Sequence, residues 1–179
     1  MIEVLRLGHR IPRDERISTH CALVGRAFGA DGLWYSGMKD KGFENSVSGV
    51  VDDFGGEFFI EYVSDDLKFV KKKKEEGWFV VHLTMYGVGF EKKVGEVKKV
   101  IDSGRDVVIV VGGEKVEPEF YEISDLNLAV GNQPHSEVGA LAVFLYEVCG
   151  LKKKFDGARI VVEECERGKR VVRVERMRD

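Results

Sequence analysis

Long apolar runs are missing from this chain. Nothing in its 179 residues approaches the roughly 18 apolar positions that span a bilayer, and VVIVV, from Val107 to Val111, is only strand length. The opening MIEVLRLGHR does not pair a basic stretch with an apolar one, so export is not expected. Cysteine is scarce: Cys21, Cys149 and Cys165 are odd in number and have no metal-like spacing. They read as reduced thiols of a cytoplasmic protein, with no metal site expected. Neither G-x-G-x-x-G nor G-x-x-x-x-G-K-[ST] occurs, which removes the familiar nucleotide and phosphate cradles. Internal repeats and low-complexity linkers are absent as well.

What is present suits one globular domain. The chain is 44% hydrophobic and 33% charged, with a net charge of −3. An acidic average argues against nucleic acid, but its distribution does not. Residues 1–30 carry 5 basic and 3 acidic side chains, residues 150–179 carry 10 and 6, and the middle carries 13 and 22. Basic ends around an acidic middle are what a nucleic-acid or phosphate surface looks like inside an acidic average, but for any one charged stretch a plain solvated surface is the favoured reading.

Apolar runs alternate with helical patterns. Strands are predicted over 2–7, 33–36, 57–63, 78–84, 105–113 and 126–130, and helices over 19–30, 45–55, 64–77, 89–104 and 136–150. The first helix is expected to be capped by Ser18 or Thr19, the third by Ser64. Such alternation gives right-handed crossovers and a mostly parallel sheet with helices on both faces. The run ARIVVEECERGKRVVRVER breaks the pattern and predicts a C-terminal β-hairpin. This divides the chain into a main unit, 1–152, and an appendage, 153–179.

Ligands of open α/β sheets sit beyond the carboxyl ends of the strands, where three loops stand out: Met85–Gly89, Gly112–Val116 and Gly131–Glu137. Taken singly, each reads as ordinary turn chemistry; clustered at one edge they make a candidate ligand site. Between the first strand and first helix lies HRIPRDERISTH, with Arg10, Arg13, Arg16, His9 and His20. Its arginines either pair with surface acids or serve an anionic ligand near a helix N-terminus. The position at the same sheet edge favours the ligand.

The combination of HRIPRDERISTH, GRAFGADG, VVGGEKV and LAVGNQPHSEVGALAVFL resembles the archaeal tRNA (cytidine(56)-2'-O)-methyltransferases, a branch of the trefoil-knot (SPOUT) superfamily. The resemblance covers nearly the whole chain. It implies a deep C-terminal trefoil knot, a homodimer, tRNA as partner and S-adenosyl-L-methionine as cofactor. The implied cofactor residues are Leu83, then Gly112, Gly113, Glu114, Lys115 and Val116, then Val130, Gly131, Asn132, Gln133, Pro134, His135, Ser136 and Glu137. Two features depart from the wider superfamily. The usual first-helix arginine is replaced by Leu23, and the usual Asn-Val of the last helix by Glu137-Val138. The arginine's role then passes to the HRIPRDERISTH motif, where Arg16 and Arg10 are candidate catalytic residues. A guanidinium stays protonated at any working pH, so Arg16 is cast as a donor to developing alkoxide charge. His20 is the candidate proton acceptor. Two alternatives share the fold: a non-catalytic RNA-binding module and a methyltransferase with another RNA target.

Overall fold

The computed structural model describes residues 1–113, 115–152 and 154–174. Its main sheet has six strands in the order β3-β2-β1-β5-β4-β6, every neighbouring pair parallel. They are β1 (Ile2–His9), β2 (Gly32–Gly37), β3 (Phe59–Tyr62), β4 (Phe79–Gly89), β5 (Val107–Val111) and β6 (Leu126–Ala129). The helices are α1 (Glu15–Ala27), α2 (Lys41–Phe54), α3 (Asp66–Glu75), α4 (Val94–Asp102), α5 (Pro118–Ile123) and α6 (Glu137–Cys149). An antiparallel pair, β7 (Ile160–Glu163) and β8 (Arg170–Arg173), follows.

Alternation of side chains along fully buried β5 feeds two cores. Val107, Ile109 and Val111 join Cys21 and Ala22 of α1, Val47 of α2, Val97 of α4 and Phe144 of α6 on one face. Val108 and Val110 join Val70 of α3 and Phe120 of α5 on the other. Helices therefore cover both faces, as the continuous apolar strands require. The chain winds outward from β1 to β3, then crosses to β4 and returns inward to β5, so strand order reverses between β1 and β5. That reversal opens a crevice at their carboxyl ends.

Several boundaries differ from the pattern-based expectation, each for a local reason. Helix α1 starts at Glu15 after Asp14, not at Ser18 or Thr19. The Ser18 hydroxyl is buried a turn inside the helix, 2.8 Å from His9 Nδ1, while Thr19 Oγ1 donates back to Glu15 O at 2.8 Å. Helix α2 begins at Lys41, because the Asp40 carboxylate accepts from Phe43 N at 3.0 Å. In α3 the cap is Asp65, not Ser64. Six-residue α5, opened by Pro118, is too short for periodicity to show. Strand β4 runs on to Gly89, and both Leu83 and Val88 pair with Leu128, so residues 84–87 bulge from the ladder. Gly87 permits the bulge, since a Cβ there would lie 2.5 Å from Asn127 O.

The expected hairpin is present, its predicted run continuing into residues 175–176, outside those described, as does the rest of the basic tail. It is tied to α2 by Arg159 N donating to Asp53 O at 2.9 Å, and Arg26 lies 4.2 Å from the Phe155 ring centroid. Cys21, Cys149 and Cys165 are free thiols, and burial pushes the Cys21 thiol up to about 12.

Candidate active-site cleft

Beyond the carboxyl ends of β1, β4, β5 and β6 lies a cleft of about 390 Å³, within the range of small-molecule sites. Leu83, Val116, Val130 and Ala140 give it apolar walls, and Arg6, Arg10, Arg13, Asp14 and Glu137 give it charge of both signs. The return of the chain after β5 is tight. A Cβ on Gly112 would lie 2.2 Å from Val116 Cγ2, so a side chain there would push Val116 out of the wall.

The charged side is anchored from below. Arg6 is 1% exposed, the kind of buried cation that needs partners. Its Nη2 is 3.0 Å from Glu137 Oε1, in the first turn of α6, and its Nη1 donates to Leu7 O. Arg10 Nε donates to Asp14 Oδ2 at 2.8 Å, and this bond holds the Asp14 carboxyl below the usual range. Asp14 stays ionised and fixes the guanidinium at the mouth of the cleft. Behind them, His9 is fully buried, its Nε2 3.1 Å from Asp40 Oδ2. The Phe43 backbone N–H keeps the Asp40 carboxyl depressed, so it accepts from Nε2. Ser18, His9 and Asp40 thus line up like a nucleophilic triad, but Ser18 is 0% exposed and offers nothing to a substrate. The alignment locks α1 and α2 to the end of β1.

The opposite wall is the loop from β6 to α6. Asn132 Nδ2 donates to Met85 O at 2.8 Å and to Gly87 O at 3.1 Å, fastening this loop to the β4 bulge. Both ring nitrogens of His135 face backbone carbonyls, of Ser136 and Val130. Ser136 caps α6 by accepting from Val138 N at 3.2 Å.

Most of the anticipated cofactor residues converge here. Leu83, Gly112, Gly113, Val116, Val130, Gly131, Gln133, His135, Ser136 and Glu137 line the cleft. Lys115 lines a second cavity of about 400 Å³ next to it, shared with Arg10 and Gly113. Asn132 acts as a loop fastener, Pro134 lies outside the lining, and Glu114 falls outside the described residues. Of the anticipated catalytic residues, Arg10 reaches the cleft, whereas Arg16 and His20 are exposed on α1 and line neither cavity.

Sequence reasoning missed Arg6, Asp14, His82 and Tyr121, all in the lining. Arg6 had a readable signal: a cation inside an apolar strand pattern, IEVLRL, must find a buried partner. Asp14 and Tyr121 had none, because their roles depend on where α1 starts and on the short α5.

Comparison with known proteins places the chain. The family profile described as tRNA ribose 2'-O-methyltransferase, aTrm56, matches residues 54–172. The tRNA (cytidine(56)-2'-O)-methyltransferase of Thermococcus kodakarensis is 48% identical over 178 residues, 98% of each chain. That of Archaeoglobus fulgidus is 51% identical over 173 residues, 96% of this chain and 98% of the other. Among solved structures, an A. aeolicus TrmH/SpoU tRNA modifying enzyme superposes with a TM-score of 0.59 at 22% identity, covering 82% of this chain and 73% of its own. The SpoU methyltransferase AviRb from Streptomyces viridochromogenes, in complex with AdoMet, gives 0.56 at 14%, covering 83% and 56%. At these identities the two structures speak to the fold.

Proposed function

The chain belongs to the tRNA ribose 2'-O-methyltransferase family aTrm56, and from that premise we propose that it methylates the 2'-hydroxyl of cytidine 56 in tRNA, with S-adenosyl-L-methionine as donor. The observation that carries the reading is similarity over nearly the full length to enzymes of that one activity. The cleft fits such a donor. Its apolar walls suit a flat heterocycle, and its guanidinium and carboxylate groups suit the ammonium and carboxylate of an amino acid. Leu83, Val116 and Val130 would hold the first part, and Arg13, Asp14 and Glu137 the second. When bound, the donor supplies an electrophilic methyl on a sulfonium sulfur. The β6–α6 segment, which leaves β6 beside β4 and returns to pair Glu137 with Arg6 of β1, is our candidate for the knotted part of the chain.

The protein's remaining task is to align a ribose 2'-oxygen and stabilise the charge that develops as its proton leaves. Arg10, held by Asp14 at the cleft mouth, donates to that oxygen. Arg16 and His20, exposed on α1, serve the cleft of the other protomer in a homodimer, Arg16 as a second donor and His20 as proton acceptor. Exposed apolar side chains support the dimer: Val143 and Tyr146 on α6, and Val161, Val162, Val171 and Val172 on the hairpin. No helix among the described residues is long and apolar enough to cross a membrane, and a tRNA substrate fits work in the cytoplasm.

The test is transfer of labelled methyl from the donor to a tRNA transcript. We expect incorporation that depends on both. Tight tRNA binding without transfer would overturn the proposal in favour of a non-catalytic RNA-binding module.

A further inference from the structure

One hydrogen-bond chain under the cleft ends on an atom without a partner among the described residues. His82 lies on β4, shares a face with Val80, is 0% exposed and borders the cleft. Its Nδ1 is 2.9 Å from Asn127 Oδ1. That amide is oriented from its far side, because Asn127 Nδ2 donates to Tyr121 O at 2.8 Å. A carbonyl only accepts, so the amide nitrogen faces Tyr121 and the amide oxygen faces the imidazole. The oxygen also only accepts, so Nδ1 carries the hydrogen. Burial holds the ring below the usual histidine value and keeps it neutral.

It follows that Nε2 presents a bare lone pair, buried and without a partner among the described residues. Leaving such an acceptor unmet is unfavourable, because it has given up water and gained nothing in return. The ring has little freedom to turn away: it meets Tyr121 edge-on at 4.7 Å between centroids, and Tyr121 is itself 3.2 Å from Thr84 Oγ1. Turning it would also break the bond to Asn127. Tyr121, Asn127 and Thr84 therefore fix the ring of a buried residue that lines the cleft.

We propose that His82 Nε2 accepts a hydrogen bond from the nucleoside half of the bound methyl donor and so selects that nucleoside. This rests on the cleft being the donor site. The hydrogen comes either from the exocyclic amine of the adenine or from a ribose hydroxyl, groups that share one chemistry and can be separated by analogues. A site that hydrogen-bonds a ligand group rejects the analogue lacking it, because its own buried atom is then left unpaired.

Two measurements test this. The first is calorimetric titration of the wild type and the His82→Phe variant with S-adenosylhomocysteine and its 6-oxo, 2'-deoxy and 3'-deoxy analogues. We expect the wild type to bind one analogue class at least about tenfold more weakly, and His82→Phe to lose that discrimination while retaining the others. Identical analogue ratios in the two proteins would overturn the assignment. The second needs no variant: in ¹⁵N-histidine-labelled wild type, the His82 Nε2 resonance should move from the unbonded towards the hydrogen-bonded position when S-adenosylhomocysteine is added. A resonance that stays put while the ligand binds overturns the inference and leaves the donor site standing. Failure of the wild type to bind S-adenosylhomocysteine at all would overturn both.

Discussion

At the scale of single residues, the ion pair between Arg6 and Glu137 carries the most consequence. Arg6 is 1% exposed and Glu137 19%, and the pair joins the end of β1 to the first turn of α6 across the cleft. Removing one partner of such a pair leaves a buried charge uncompensated, which typically costs 3–5 kcal/mol. Glu137→Ala should therefore lower the free energy of unfolding by about 3 kcal/mol, the lower end because Glu137 retains some solvent. Chemical denaturation checks this, and a loss below about 0.5 kcal/mol would mark the pair as a surface contact. The same residue replaces the asparagine usual in the superfamily. Its pairing with Arg6 explains how an acid is accommodated in that place: the compensating cation comes from β1. Protonation gives a related expectation at lower pH. The folded-state pKa of Asp14 is depressed by Arg10, so its contribution is complete above the ordinary carboxylate value and is lost as pH falls through the depressed one.

At the scale of elements, the β6–α6 loop and the β4 bulge act as one unit, because Asn132 spans them with two hydrogen bonds. Asn132→Ala removes both without opening a core cavity. Affinity for S-adenosylhomocysteine should fall about tenfold, the equivalent of roughly 1.4 kcal/mol for one to two bonds, while the unfolding midpoint moves little. Unchanged affinity would show that the loop is held by other means. These elements also show what the sequence made legible. Continuous apolar strands such as VVIVV and the amphipathic α4 declared the parallel sheet and its two covered faces. Glycine-rich loops at strand ends declared the edge at which the cleft lies. Helix starts were less readable, because Ser18 is taken up by His9 and Asp14 by Arg10 instead of capping α1. The β4 bulge was hidden for a similar reason: its register shift is set by pairing with Leu128, 45 residues after Leu83. His82 looked like one more buried position in WFVVHLT, and only the orientation of Asn127 reveals its spare lone pair.

At the scale of the whole molecule, Arg16 and His20 are exposed and line neither cavity of their own chain, and the proposed homodimer would bring them to the neighbouring cleft. If Arg10 works in its own protomer and Arg16 in the neighbour's, Arg10→Ala and Arg16→Ala should each lower turnover by about 10²-fold. Mixing and reassembling the two variants should then restore roughly a quarter of wild-type activity, because half the dimers are mixed and each has one intact cleft. No recovery on mixing would mean that each cleft takes both arginines from one and the same protomer. The charge distribution belongs to this scale too, since a chain of net charge −3 can meet tRNA through its basic ends.

Ribose methylation at one nucleotide of tRNA is tested by mass spectrometry of nuclease digests of a tRNA transcript treated with the enzyme and S-adenosyl-L-methionine. We expect a single added methyl on the ribose of cytidine 56, and none when that nucleotide is 2'-deoxycytidine. A methyl on a base, or on another nucleotide with cytidine 56 untouched, would overturn the assignment.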